Sequence, residues 1–202
     1  MTARAAPADQ PPVPPPAAAP GRRSLGPTIA AFDRSVDSAL ERLRGQRVAD
    51  TVFVAASRLG DFSIVWHLFN VSRGLTSERC ANQVPALAAA LGVESLFVNQ
   101  GLKRIFRRPR PTTEGDPRYP VRRPLTSAFP SGHASAAAFT ATVITAWDGR
   151  RSAPLWWTIA ATVAASRAFV RIHHPSDVVA GMAVGTAFGV GAVATMRRLG
   201  IR

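Results

Sequence analysis

Apolar residues gather along this chain into five runs that are separated by more polar stretches. The runs have helical spacing and lie at 62–71, 84–102, 134–147, 155–170 and 178–196. The last run holds 19 residues without a charge, close to the roughly 20 that a helix needs to cross the hydrocarbon of a bilayer. Its small residues, among them Gly181 and Gly185, suit close packing of helices in lipid.

This pattern predicts an all-α protein, an integral-membrane helical bundle with about five transmembrane helices. The alternative is a soluble bundle of alanine-rich helices, because several runs are short or contain a polar residue such as Glu94, Asn99 or Arg167. The run at 62–71 is the weakest span, since it crosses only if the helix extends through Leu75.

The amino-terminal part of the chain has a different composition. Residues 1–27 contain eight of the 17 prolines and few large apolar side chains, so they cannot bury enough surface to offset the entropy of ordering. We expect a disordered tail at 1–27, without the pattern of a signal peptide, and a membrane domain at 28–202. At the start of that domain, apolar and charged residues alternate at helical spacing over 29–59, which predicts an amphipathic helix at the membrane interface.

The net charge of +13 would first suggest nucleic acid or anionic lipid as a partner. The arginines are dispersed between the apolar runs and form no single stripe, so we do not expect nucleic-acid binding. The single cysteine, Cys80, excludes an internal disulfide and a cysteine-rich metal site. Of the 25 basic residues only Lys103 is a lysine, so in this arginine-rich chain we consider Lys103 a candidate functional residue.

Three polar clusters stand at the edges of the apolar runs, and the first begins at Lys103 and reaches Arg110. Prolines on both sides of Arg110 end the preceding helix. Such a density of cations needs an anionic ligand or solvent. For three of its members we favour contact with lipid phosphates at the bilayer surface: Arg104, Arg107 and Arg108.

The second cluster, Pro130-Ser131-Gly132-His133, opens the next apolar run. Proline is favoured early in a helix, and glycine allows another backbone to approach closely. The amides from Ser131 and Gly132 onward would be exposed at the helix start and would favour an anion, while His133 could serve as an acid. A helix cap followed by an incidental histidine is the alternative.

The third cluster begins with Ser166 and Arg167 inside an apolar run. A buried guanidinium needs a partner or a water-filled cavity, and a phosphate would supply one. His173 follows, with Asp177 four residues later, a spacing that lets the carboxylate accept from one ring nitrogen and leave the other free to attack phosphorus. His174 is the competing histidine, which we interpret as a residue at the rim.

Together the clusters consist of lysine, six residues and Arg-Pro; then Pro-Ser-Gly-His; then Ser-Arg, five residues, histidine, three residues and aspartate. This order and spacing resembles the signature of the type 2 phosphatidic acid phosphatase superfamily, which includes lipid phosphatases, bacterial acid phosphatases and vanadium haloperoxidases. Every motif position is filled between residues 103 and 177. The apolar helices from about residue 29 to the end are similar to those of the small bacterial membrane branch.

The resemblance implies a hydrolase of phosphomonoesters or diphosphates that uses neither a metal nor a cofactor. In the family's pattern, His173 forms a phosphohistidine, Asp177 orients it and His133 protonates the leaving group. The phosphate would be bound by the remaining motif residues, Lys103, Arg110, Ser131, Gly132, Ser166 and Arg167.

The position of the clusters at the ends of membrane helices favours a lipid whose phosphate lies at the headgroup level. The resemblance makes a polyprenyl diphosphate, a recycled cell-wall carrier, the first choice. Phosphatidic acid, phosphatidylglycerol phosphate and a polyprenyl phosphosugar phosphate are the alternatives. Two other functions stay open, phosphotransfer to an acceptor other than water and non-catalytic binding of anionic lipid. The oligomeric state is not predicted.

Five spans would place all three clusters on one side of the bilayer. The loops at Arg73 and Arg150 and the tail at Arg197 would lie on the other side. Because cytoplasmic loops carry an excess of basic residues, this second side is assigned to the cytoplasm. We therefore expect a multi-pass protein of the cell membrane with an extracytoplasmic site.

Overall fold

The computed structural model describes residues 25–112, 116–122 and 126–201, apart from the side chain of Phe62. These residues form helices and connecting loops, and no strand occurs among them, which confirms the all-α prediction. The longer helices are α1 (Pro27–Glu41), α2 (Arg47–Leu59), α3 (Ile64–Gly74), α4 (Glu78–Leu96), α6 (Gly132–Asp148), α7 (Ala153–Phe169) and α8 (Pro175–Arg198). The predicted tail lies almost wholly outside the described residues and stays a prediction.

The central helix of the bundle is α6. All residues from 134 to 144 except Thr142 are buried in it, and they pack against α7 and α8. Its many alanines carry little side-chain bulk, so neighbouring backbones can approach closely. Three glycines of α8 face it, and a Cβ atom on Gly185 would lie 2.0 Å from the carbonyl oxygen of Ser135. The contact between α6 and α8 therefore requires glycine on one side.

The predicted amphipathic helix over 29–59 is two helices, because the chain turns between α1 and α2. Gly45 in this turn has φ +85°, in the left-handed region that favours glycine. The sequence-based expectation of one continuous helix was wrong at this point, since charged residues continue at helical spacing through the turn. A second turn at Gly60 joins α2 to α3, and the two helices meet at 78°.

The polar face of α1 lies against the protein and part of its apolar face is exposed. Asp33 is buried, whereas Phe32 is 44% exposed. Arg44, in the following turn, is also buried and donates hydrogen bonds to the carbonyls of Ala168 and Phe169 at the end of α7. The same arginine forms an ion pair with Asp37 of α1. Charge pairing thus holds the amino-terminal helix at the end of the bundle.

Two helical segments of the described chain are long and apolar enough to cross a membrane, Glu78–Ile105 and Pro175–Arg198. The bent pair formed by α2 and α3 would make a third. The first segment runs from α4 through a π-helical stretch, Phe97–Leu102, into the short turn α5 (Lys103–Ile105). Helices α6 and α7 have 17 residues each. The predicted number of about five spans remains a prediction.

We predict that Gly185→Ala weakens the packing of α6 against α8. The new methyl group would meet a backbone oxygen that no side-chain rotation can remove, and overpacking of this kind costs about 1–3 kcal/mol. The temperature of thermal unfolding in detergent should fall. Gly191→Ala, on the same helix with nothing within 4 Å of the new atom, is the matched control and should unfold no earlier than the unchanged protein. Equal unfolding temperatures for the two variants would contradict the prediction.

Candidate active site

The three sequence clusters meet at one end of the bundle. Helix α5 ends there, α6 and α8 begin there, and α7 ends there. The backbone amide of Ser131 donates to the carbonyl of Asp177 across 2.9 Å, which joins the start of α6 to the start of α8. The amide of His173 donates to the carbonyl of Arg167. Backbone contacts therefore bring the second and third clusters into one site.

Lys103 lies at the edge of this site and is almost completely buried. Its ammonium donates a 2.8 Å hydrogen bond to Oδ1 of Asn99, one turn earlier in the same helical segment. It also lies 3.5 Å from Oγ1 of Thr126. A Cβ atom on Gly132 would be 3.4 Å from the Lys103 ammonium. The lysine charge is thus directed at the first turn of α6, where peptide amides also favour an anion.

Arg110 connects the first cluster to the third. Its guanidinium donates to the carbonyl of Ile172 at 2.6 Å and to that of Thr126 at 3.0 Å. The same Nη1 atom lies 3.2 Å from Nε2 of His173. Because a guanidinium can only donate, Nε2 must be the accepting nitrogen. A neutral His173 therefore carries its proton on Nδ1 and presents the lone pair of Nε2 beside Arg110.

The other ring nitrogen of His173 faces Asp177. Nδ1 lies 3.6 Å from Oδ2 of the carboxylate, an ion-pair distance that is longer than a hydrogen bond. The same Oδ2 accepts a 2.8 Å hydrogen bond from the backbone amide of His174. His174 is the N-cap residue of α8 and is partly exposed. Asp177 is therefore held beside His173 mainly by groups other than the imidazole.

His133 stands at the first turn of α6 with a carboxylate partner that the sequence did not indicate. Its Nε2 lies 2.9 Å from Oδ1 of Asp61, in the turn between α2 and α3. Gly60 makes room for this contact, because a Cβ there would lie 2.8 Å from the His133 ring. Arg167 lies 3.6 Å from the same Asp61 oxygen. Asp61 thus connects the histidine of the second cluster to the arginine of the third.

Arg167 is fully buried, as its place inside an apolar helix predicts. Its Nη1 donates to the carbonyl and the hydroxyl of Ser57 on α2. Its Nε and Nη2 atoms have no hydrogen-bond partner among the described residues. Since buried donors without partners are costly, the three N–H groups on these two nitrogens remain to bind an anion.

The remaining motif residues surround these groups. Ser131 and Ser166 are completely buried. The Ser131 hydroxyl accepts from the amide of Ala134 and caps α6. The Ser166 hydroxyl donates to the carbonyl of Val163 in its own helix. The proton of Ser166 is therefore directed to the helix backbone, and its predicted contact with phosphate stays a prediction.

The sequence-based interpretation of Arg108 was wrong. Its side chain is only 11% exposed and forms ion pairs with Asp33 and Asp177, so its N–H groups are directed at these carboxylates and not at lipid phosphates. Arg104 and Arg107 are exposed, as expected. Asp33, Asp61 and Asn99 were not predicted from the sequence as neighbours of the clusters. Asp33 and Asp61 lie far from their partners in the chain, and Asn99, although close to Lys103, belongs to no motif. The position of Asp61 at the edge of an apolar run was the one available signal.

The chain is similar to known proteins in both sequence and fold. The model of the PAP2 superfamily matches residues 84–201. A protein of Escherichia coli strain K12, provisionally named undecaprenyl-diphosphatase YbjG, is 30% identical over 112 residues. That match covers 55% of each protein, so the chain spans about half the length of this curated relative.

Two solved structures share the fold at 20% sequence identity. The first is a transmembrane PAP2-type phosphatidylglycerolphosphate phosphatase from Bacillus subtilis, with a TM-score of 0.69 over 86% of this chain and 89% of the other. The second is LpxE of Aquifex aeolicus, with a TM-score of 0.67 over 84% of this chain and 97% of the other. Both likenesses extend well beyond the motif region.

We predict that His173 stays neutral at mildly acidic pH. Burial lowers the pKa of His173 to about 3, although the carboxylate of Asp177 acts in the opposite direction. Because the neutral form persists above a lowered pKa, the Nε2 lone pair is available throughout the range from about pH 5 to 7. Imidazole ¹⁵N shifts of His173 should remain those of the neutral ring in that range. Protonation near the ordinary histidine value of about 6.5 would contradict the prediction.

Proposed function

The chain belongs to the PAP2 superfamily, and from this membership we propose that it is a metal-independent membrane lipid phosphatase acting through a phosphohistidine at His173. The observation that carries the proposal is the 3.2 Å approach of Arg110 to Nε2 of His173. This contact directs the lone pair of the ring toward the place where Lys103, Arg110 and Arg167 could hold a phosphate.

The proposed reaction has two steps. Nε2 of His173 attacks phosphorus, the bond from phosphorus to the lipid oxygen breaks, and His133 donates a proton to that oxygen. Water then attacks the phosphohistidine and gives a proton to His133, and the phosphorus–nitrogen bond breaks. Inorganic phosphate leaves, and both histidines return to their starting states.

Positive charge supports both steps. The cations Lys103, Arg110 and Arg167 neutralise the oxygens of the transferring phosphoryl group, which is the role that a metal ion fills in other phosphatases. In the parts of the chain that the structure describes, no three His, Cys, Asp or Glu side chains are grouped so that they could hold a metal ion. Asp177 lies beside Nδ1 of His173 and can stabilise the positive ring of the intermediate.

The substrate that we propose first is a polyprenyl diphosphate. Support comes from the name of the Escherichia coli relative, and from an apolar groove of about 720 Å³ that α4, α6 and α8 line. The groove runs from the middle of the bundle, at Val93 of α4 and Phe139 of α6, along the half of α8 that is farther from the site, as far as Leu199. Its lining suits a hydrocarbon chain. Phosphatidic acid, phosphatidylglycerol phosphate and a polyprenyl phosphosugar phosphate are the alternatives.

We extend the proposal to location. The clusters lie together at one end of the bundle, whereas Arg73 and Arg197 lie in the last turns of α3 and α8 at the opposite end, and Arg150 follows the end of α6 there. The excess of basic residues in cytoplasmic loops supports a cell-membrane protein with an extracytoplasmic site.

We expect detergent-purified protein to release phosphate from undecaprenyl diphosphate in the presence of EDTA. His173→Ala should lower the rate by about a thousandfold or more, because it removes the nucleophile. His67→Ala is the matched control, since His67 is exposed on α3, and it should keep full activity. Vanadate, which can take the five-coordinate geometry of the transition state, should inhibit.

Phosphatidic acid belongs in the same assay, because the preferred lipid distinguishes carrier recycling from phospholipid metabolism. Strict dependence on an added divalent metal would overturn the metal-free mechanism. Absence of release from every lipid, with inserted protein, would favour non-catalytic binding of anionic lipid.

Arg167→Lys should lower turnover about tenfold or more. An ammonium has only three N–H donors, so it cannot replace both the two that Ser57 accepts and the three that are free on Nε and Nη2 of the guanidinium. Arg104→Lys changes an exposed arginine in the same way and should leave turnover unchanged. Normal kinetics in Arg167→Lys would remove this arginine from the phosphate site.

A further inference from the structure

Arg108 lies between two buried carboxylates that are far apart in the sequence. Its Nη2 donates to Oδ2 of Asp33 on α1 at 2.7 Å, and its Nη1 donates to Oδ1 of Asp177 on α8. Nη1 also lies 2.7 Å from the hydroxyl of Ser176. Both carboxylates are less than a tenth exposed. A planar guanidinium is suited to such a double contact, because its N–H groups point in fixed directions.

We propose that Arg108, held in place by Asp33, is a positioning residue for the pair of His173 and Asp177. The inference deepens the proposed function and rests on it, since the pair matters only if His173 is the nucleophile. The guanidinium of Arg108 donates to the two carboxylates and to Ser176, and none of these bonds goes to the His173 ring. Arg108 therefore acts on the ring through the carboxylate of Asp177.

The carboxylate of Asp177 is held at both of its oxygens. Arg108 binds Oδ1, and the backbone amide of His174 binds Oδ2. These two contacts keep Oδ2 at 3.6 Å from Nδ1 of His173. Without Arg108, a buried carboxylate would lose its strongest partner and would turn toward another donor or take up a proton. In either case the electrostatic environment of Nδ1 of His173 would change.

Asp33 connects α1 to two residues beside Asp177, namely Arg108 and Ser176. Besides Arg108, its carboxylate accepts from the amide of Ser176 at 2.8 Å and from the hydroxyl of Ser176 at 2.9 Å. Ser176 immediately precedes Asp177 in the first turn of α8. One side chain of α1 therefore orients the arginine and also anchors the backbone that carries Asp177.

A second acid on α1 allows this role to be separated from the docking of the helix. Asp37 pairs with Arg44 at 2.6 Å and with Arg171 at 3.2 Å. Arg44 donates to carbonyls at the end of α7, and Arg171 lies in the loop after that helix. Neither ion pair involves Arg108 or the first turn of α8. Asp37→Asn should loosen α1 to a similar degree while leaving the environment of Asp177 as it is.

The experiment compares Arg108→Gln, Asp33→Asn and the double variant with Arg107→Gln and Asp37→Asn as controls. Steady-state kinetics on the preferred lipid give kcat and KM, and ¹⁵N spectra of the substrate-free protein give the fraction of His173 that is protonated on Nδ1. We expect kcat to fall about tenfold or more in Arg108→Gln, with KM within about twofold, because a charge-assisted hydrogen bond is lost away from the substrate.

Asp33→Asn should have a smaller effect in the same direction, and the double variant should be no slower than Arg108→Gln alone, since both act through one contact. The Nδ1-protonated fraction of His173 should fall in both single variants and stay unchanged in the two controls.

Wild-type kcat together with a wild-type spectrum in Arg108→Gln would overturn the inference. An equal loss of kcat in Asp37→Asn and Asp33→Asn would overturn the part assigned to Asp33, because any loosening of α1 would then suffice. If the unchanged protein hydrolyses no lipid, the proposed function fails, while the spectra still decide whether Arg108 positions the pair.

Discussion

The close contact of α6 with α8 is the constraint on which the site depends. Gly181 and Gly185 allow the α8 backbone to approach the carbonyls of Ser131 and Ser135 more closely than any side chain would permit. This contact places the start of α6 beside the start of α8, where the amide of Ser131 bonds the carbonyl of Asp177. The second and third motifs are therefore positioned by backbone packing, before any charged group is considered. A rigid backbone contact suits a site whose reacting groups must stay within a fraction of an ångström.

Burial of charge is the second constraint, and the amino-terminal helices satisfy it. The family model begins at residue 84, yet Asp33, Ser57 and Asp61 all lie upstream and all contact motif residues or Arg108. Ser57 and Asp61 lie beside Arg167, and Asp33 forms an ion pair with Arg108. A cation removed from water needs such partners. The upstream helices are thus part of the site, although they carry none of its signature.

Predictions from the sequence succeeded where one short segment decides the outcome. The apolar runs indicated α4, α6, α7 and α8 because each buries its own residues at helical spacing. Predictions failed where distant segments compete for one group. Arg108 lies in an arginine-rich stretch that is typical of lipid contact, but it is buried because it pairs with two aspartates, 75 and 69 residues away. The turn at Gly45 also went unseen, because charged residues continue through it at helical spacing.

The helical class, the family and the residue types that the chemistry needs can all be inferred from the amino-acid sequence. Motif spacing carries these because each motif is a short stretch of chain at helix ends, where local geometry largely decides which side chains are neighbours. The polar partner of each cation is known only from the folded chain: Asp61 lies beside His133 and Arg167, Asn99 beside Lys103, and Arg108 between Asp33 and Asp177. Most of these pairs join segments that are far apart in the chain. A buried charge needs a polar or charged partner, and the packing of the helices determines which side chain is close enough to serve.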